Sequence, residues 1–185
     1  MLQLNYWRKR WEEGRTGWHL SDVNPKLVEY WPQLNVDAGS TVFVPLCGCS
    51  LDMYWLADQG FHVFGIDASP VAVANVVENE RVNIACQDFF ELEHEPFTAW
   101  YDRAALVALE PKERLLYFSK LAKLLVVGAK GLLVSFEYPK GHRVGPPFSV
   151  NREEISQLCK GHFRYTEIAR EGDLEVEVVY ELERI

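Results

Sequence analysis

The chain alternates short apolar, β-branched runs with longer segments of helical period, and this alternation most limits what it can fold into. Residues 41–46, 62–67, 82–86, 100–102 and 131–138 read as strands. The first, second and fifth lack polar alternation, as strands buried on both faces do. Between them, Asn24 and Pro25 open a helix that Pro32 limits near Leu34, and Ser50 caps a helix that Gly60 stops. Ser69 with Pro70 starts another helix through "VAVANVVENE". "PKERLLYFSKLAKLL" carries apolar residues at helical spacing, and Asn151 with Glu154 is a capping-box variant. Strands alternating with helices imply a mostly parallel sheet covered on both faces.

The C-terminus breaks the pattern. Leu174, Val176, Val178, Tyr180 and Leu182 alternate with mostly glutamates, a period of two that predicts a strand with one wet face. Glu171-Gly172-Asp173 turns back to "FRYTEIAR", so an antiparallel hairpin is expected to close the sheet. At 185 residues, one domain is the economical reading, with a helical cover over 1–35 and a Rossmann-like core over 40–185.

Charge and composition exclude several classes of function. The formal charge of -8 repels phosphate backbones, so nucleic acid is not expected as a partner. No apolar run approaches the roughly 20 residues of a membrane span. "MLQLNYWRKRWEEG" has no basic region followed by an apolar stretch, so no signal peptide is read. The 4 cysteines are then expected to be reduced thiols in a cytoplasmic protein.

In an open parallel sheet, ligands bind at the carboxyl ends of the strands. "VFVPLCGCSLDM" follows the first strand and offers Gly48 alone rather than the three glycines of a dinucleotide fold. This argues against NAD or FAD and leaves room for a nucleoside cofactor without a pyrophosphate. Cys47 and Cys49 do not make a metal or redox centre. A single intervening residue seldom closes a strain-free disulfide, and zinc needs about four ligands; no second Cys or His cluster accompanies them.

Asp67, ending the second strand in "VFGID", could accept bonds from ribose hydroxyls or simply charge a helix N-terminus. Asp88 follows the third strand, where it could meet an adenine amino group, with Phe89 and Phe90 as ring walls or core. Asp102 and Arg103 end an apolar strand, as a functional pair or a structural ion pair. Trp7 and Trp11, four apart, share a helix face that either docks on the domain or offers rings to a cation.

Together "WRKRWEEGRTGWH", "VPLCGCSLDMYWLADQG", "VFGIDAS", "QDFFEL", "YDRAALVAL" and "EYPKGHRVGPPFSV" resemble the thiopurine S-methyltransferase family, particularly its bacterial members. The resemblance implies a Rossmann-like class I methyltransferase fold, a seven-stranded sheet with a reversed final strand. It implies S-adenosyl-L-methionine as cofactor, held by Trp7, Trp11, Leu46, Cys47, Gly48, Asp67, Ala68, Gln87, Asp88, Phe89 and Arg103. It implies Trp18, His19, Pro147 and Phe148 around the substrate, Arg103 and Asp102 in catalysis, and no metal. Small thiols, or selenium or tellurium compounds, are the expected acceptors, methylated by in-line transfer, and a monomer is expected. The family usually carries lysine at Cys49, glycine at Gln87 and glutamate at Asp67. The segment between the second and third strands and the final strand connection are shorter than the family's. A protein that binds the cofactor with little catalysis is therefore the alternative.

Overall fold

The computed structural model describes residues 2–185, with side chains from Leu4 onward; Met1, the first residue of the expected cover, lies outside the described residues. Seven strands form one sheet in the order β3-β2-β1-β4-β5-β7-β6. They are β1 (Thr41–Pro45), β2 (His62–Asp67), β3 (Val82–Cys86), β4 (Phe97–Arg103), β5 (Leu125–Glu137), β6 (Phe163–Glu171) and β7 (Val176–Arg184). The first five pair in parallel, whereas β7 is antiparallel to both β5 and β6. The expected sheet and terminal hairpin are present.

Strand parity sorts the core into two layers. Phe43, Trp100, Leu133 and Tyr180 face α5 (Pro111–Lys123) and α6 (Arg152–Cys159). Val42, Val44, Tyr101 and Val134 face the other layer, with α2 (Pro25–Tyr30) and α3 (Asp52–Asp58). Burying Trp100 at the sheet centre requires glycine beside it. A Cβ on Gly131, its partner in β5, would lie 2.0 Å from the indole nitrogen. On the second layer, the fully buried Asp52 joins three elements: it accepts from the Asn24 amide at 2.7 Å and from the Tyr101 hydroxyl at 3.0 Å.

Several boundaries differ from the expectations. β7 keeps the expected alternation except at Val179, which is buried in the second layer with Trp31 and Leu34, while Val178, Tyr180 and Leu182 are buried in the first. β4 and β5 both begin earlier than their apolar centres suggest. The Ser50 hydroxyl accepts the Asp52 amide at 3.2 Å, so it closes a turn ahead of α3, whose first helical residue is Asp52. The helix from Pro70 spans only Pro70–Ala74 (α4). Beyond it, the Val77 amide bonds the Tyr54 hydroxyl, and Asn79 accepts from the Arg81 and Val82 amides, so side chains take the place of further helix.

Candidate active site

The sheet's order reverses between β1 and β4, and both strands leave it through strained residues. Leu46 after β1 has φ 48° and Ala104 after β4 has φ 69°, a left-handed backbone that costs a non-glycine residue about 1–2 kcal/mol. Neighbouring bonds impose both. The Cys47 amide donates to the Ile66 carbonyl at 2.9 Å. The Asp102 carboxylate accepts from the Ala105 and Leu106 amides at 3.1 and 3.2 Å.

Asp67 at the end of β2 organises the adjoining loop. One carboxylate oxygen accepts from the Gly48 amide at 2.9 Å and the other from the Ser69 amide at 2.8 Å. Burial raises its pKa against these two bonds, which lower it. Each oxygen keeps a second lone pair for another donor.

Over this floor lies α1 (Leu2–Glu12) with the turn that follows it. Trp7 and Trp18 meet edge-to-face at 5.0 Å, as do Trp11 and Trp18 at 5.8 Å. Gly48 has φ 56°, and a Cβ there would sit 2.8 Å from the Trp11 ring, so only glycine lets the helix lie this close. Arg8 donates to the Ala68 carbonyl at 2.8 Å, and Arg103 to the Trp18 carbonyl at 2.7 Å. Among the described residues, the buried Trp7 indole N–H has no hydrogen-bond partner.

Two confluent clefts open here. The first, about 750 Å³ out to its mouth, is lined by Trp7, Arg10, Trp11, Trp18, Leu46, Asp67, Ala68, Ala104, Val107, Ala108, Pro146 and Pro147 among others. The second, about 500 Å³, is lined by Gln87, Asp88, Phe89, Phe90, Leu109 and Glu113. The two share Leu4, Trp7, Leu46, Asp67 and Ala68. They differ in charge. Asp67, Asp88 and Glu113 line the second with no cation, whereas Arg10 lines the first.

Ten of the expected residues thus come together: Trp7, Trp11, Trp18, Leu46, Asp67, Ala68, Gln87, Asp88, Phe89 and Pro147. Phe89 is also core, stacked with Phe43, while Phe90 is the more exposed ring. The others stand behind the lining. Asp102, expected in catalysis, does not line either cleft. It is fully buried, accepts the Tyr117 hydroxyl at 2.7 Å, and holds the turn carrying Ala104. Burial raises its pKa to about 6.

Arg103 reaches the cover's backbone, and Cys47 is buried, its thiol pKa well raised by burial. His19 packs beside Cys49, whose sulfur is 3.9 Å from a ring nitrogen, and Phe148 lies 6.0 Å from the Arg114 guanidinium. Among the described residues, no group of three or more His, Cys, Asp or Glu side chains is placed to hold a metal. Residue-by-residue reading did not single out Leu4, Ala104, Val107, Ala108, Leu109 or Glu113. The spacing of Leu4, Trp7 and Trp11 on one helical face was the available clue.

The chain matches the thiopurine S-methyltransferase family over residues 2–183. It is 41% identical to a thiopurine S-methyltransferase of Pseudomonas fluorescens, over 86% of this chain and 82% of that protein. It is 37% identical to the one from Bordetella pertussis over the whole of both chains. That alignment takes 218 positions against 185 residues here, so gaps open in this chain. Among solved structures, it resembles the 1,6-didemethyltoxoflavin-N1-methyltransferase of Burkholderia thailandensis, solved with S-adenosylhomocysteine. There the TM-score is 0.78 and identity 18%, over 99% of this chain and 88% of that one. The N-methyltransferase NodS of Bradyrhizobium japonicum gives a TM-score of 0.71 at 17% identity, over 88% and 89%. At such identities the likeness is one of fold.

Proposed function

The chain belongs to the thiopurine S-methyltransferase family, and from that premise we propose that its confluent clefts hold cofactor and methyl acceptor side by side. It is an S-adenosylmethionine-dependent methyltransferase. The observation that carries the two-ligand reading is the meeting of the clefts at Trp7, Leu46, Asp67 and Ala68, beside the point where strand order reverses.

The residues present fit the cofactor. Asp67 keeps acceptor capacity for ribose hydroxyls, Asp88 stands where an adenine amino group could reach it, and Phe90 offers a ring wall. The unpartnered Trp7 N–H is a buried donor that a ligand carboxylate would satisfy. Bound S-adenosylmethionine supplies an activated methyl on a sulfonium, open to in-line displacement by an ionised acceptor sulfur. Trp7, Trp11 and Trp18 gather aromatic rings on that side, and the face of such a ring is favourable to a cation. They also exclude water, which strengthens the nucleophile. Gly48 lets the cover close, and Arg103 acts on the same cover by anchoring Trp18. No general base is needed for an acceptor that ionises by itself, so positioning and desolvation carry the catalysis.

The acceptors are small aromatic thiols or low-molecular-weight selenium or tellurium species, and the enzyme acts as a cytoplasmic monomer. Among the described residues, no helix is long and apolar enough to cross a membrane. The test is methyl transfer from labelled cofactor to a panel of aromatic thiols and to selenium and tellurium compounds, beside calorimetry with S-adenosylhomocysteine. Turnover of thiols is expected. Tight binding with no turnover on any acceptor would establish instead a cofactor binder with little catalysis.

A further inference from the structure

We propose that Arg10 makes the first cleft an anion-selecting acceptor subsite, so that preferred acceptors are aromatic thiols carrying a second negative group such as a carboxylate. The inference rests on the two-ligand reading of the clefts and adds to it the charge of the acceptor.

Glu13 takes both neighbouring cations, accepting from Arg15 and lying 3.7 Å from Lys9. Arg10 is left out: among the described residues, no carboxylate lies within ion-pair distance of it, in a chain where Asp and Glu number 27 against 19 Lys and Arg. Its polar contacts are neutral. Nε donates to the Arg15 carbonyl at 2.9 Å, and Nη1 meets the Tyr6 hydroxyl at 3.5 Å. The guanidinium carbon lies 5.2 Å from the Trp18 ring and 5.8 Å from Tyr6, so aromatic faces orient the group. These contacts use only part of its five-donor fork, which matches a carboxylate in bidentate geometry.

The cleft supplies the rest. It is otherwise walled by Trp7, Trp11, Trp18 and Pro147, apolar surface suited to an aromatic ring. Its acidic lining residue, Asp67, has each oxygen turned to a backbone amide. The second cleft, lined by carboxylates without a cation, would repel the same ligand. An anionic acceptor therefore lies under Arg10, away from Asp88 and Glu113.

The experiment compares 4-mercaptobenzoate with 4-methylbenzenethiol, a neutral acceptor of similar shape, at a pH where both thiols are ionised. Wild type is expected to favour the carboxylate in kcat/KM. Arg10→Met lowers that ratio about tenfold, roughly one half-buried ion pair. Arg10→Lys keeps most of the ratio, Arg10→Glu inverts it, and added salt lowers it in wild type. The S-methylated products titrated into the S-adenosylhomocysteine complex should show the same order of affinities, and cofactor affinity in each variant reports an intact cleft.

An unchanged ratio in Arg10→Met and Arg10→Glu overturns the proposal, as does an equal loss for both acceptors, which would make Arg10 a prop for Trp18. A wild-type ratio insensitive to salt also overturns it. If no thiol turns over but the carboxylated product still binds in an Arg10-dependent way, the acceptor chemistry proposed above fails while the anion subsite stands.

Discussion

Asp102 and Arg103 are neighbours in sequence with opposite tasks, and the reason is the pleat. Successive strand residues face opposite layers. Asp102 shares its side with Trp100 and so meets Tyr117 of α5, whereas Arg103 shares its side with Tyr101 and reaches Trp18. The motif "YDR" was legible as important. Which side chain reached the cover was not, because a short apolar strand carries no polar alternation to give its phase. The consequence can be measured. Asp102 titrates near pH 6 when folded, above the ordinary 3.8 of a free carboxyl. The folded state therefore binds the extra proton, and this group's contribution falls as pH rises from about 4 to 6. Asp102→Asn keeps the acceptor for both amides and removes the charge. Its stability relative to wild type should rise by roughly 3 kcal/mol across that window, read from urea midpoints at each pH. A difference independent of pH would refute the assignment. At Gly48 the expectation is simpler: Gly48→Ala strains a positive φ and meets the Trp11 ring, costing roughly 2–3 kcal/mol and weakening S-adenosylhomocysteine binding.

At the scale of elements, α1 and the Ser69-Pro70 start of α4 were readable, and the end of α4 was not. The stripe Leu4, Trp7 and Trp11 announces a helix with one docking face, and the clefts lie under that face. "VAVANVVENE" has helical period too. Yet its valines propagate a helix poorly, and beyond Ala74 the hydroxyl of Tyr54 and the side-chain oxygen of Asn79 accept backbone N–H groups in place of further helix, competitors distant in sequence or hidden by short range. The cover's own chemistry makes a prediction of opposite signs. A buried donor without a partner costs about 1–3 kcal/mol, so Trp7→Phe should leave the ligand-free protein as stable or more so. The same substitution should weaken S-adenosylhomocysteine roughly tenfold, the loss of a hydrogen bond to a charged group. Thermal unfolding without ligand and calorimetry with it are the two measurements. Loss of stability without loss of affinity would mean that the indole is merely packing.

For the molecule as a whole, cover and sheet should respond to the cofactor as one body, because α1 and the turn after it are held at the ends of three strands. Arg8 reaches the end of β2, Arg103 extends from the end of β4, and Trp11 rests on the loop after β1. A ligand seated among those termini and under Trp7 binds only the closed arrangement, so its binding energy adds to the stability of both parts. At 100 times its dissociation constant, that addition is about 2.7 kcal/mol. For a chain of 185 residues this raises Tm by roughly 5–10 °C. The tryptophans allow the two parts to be watched separately: Trp7, Trp11 and Trp18 stand in the cover, and Trp31, Trp55 and Trp100 pack with the core. With Trp31, Trp55 and Trp100 replaced by phenylalanine, fluorescence reports the cover and far-ultraviolet ellipticity reports the sheet. S-adenosylhomocysteine should move both transitions upward together, whereas NADH, whose pyrophosphate finds one glycine at the β1 loop, should move neither. If ellipticity shifted while fluorescence stayed in place, the cofactor would lie on the sheet without touching the cover, and the aromatic enclosure would have no part in binding it.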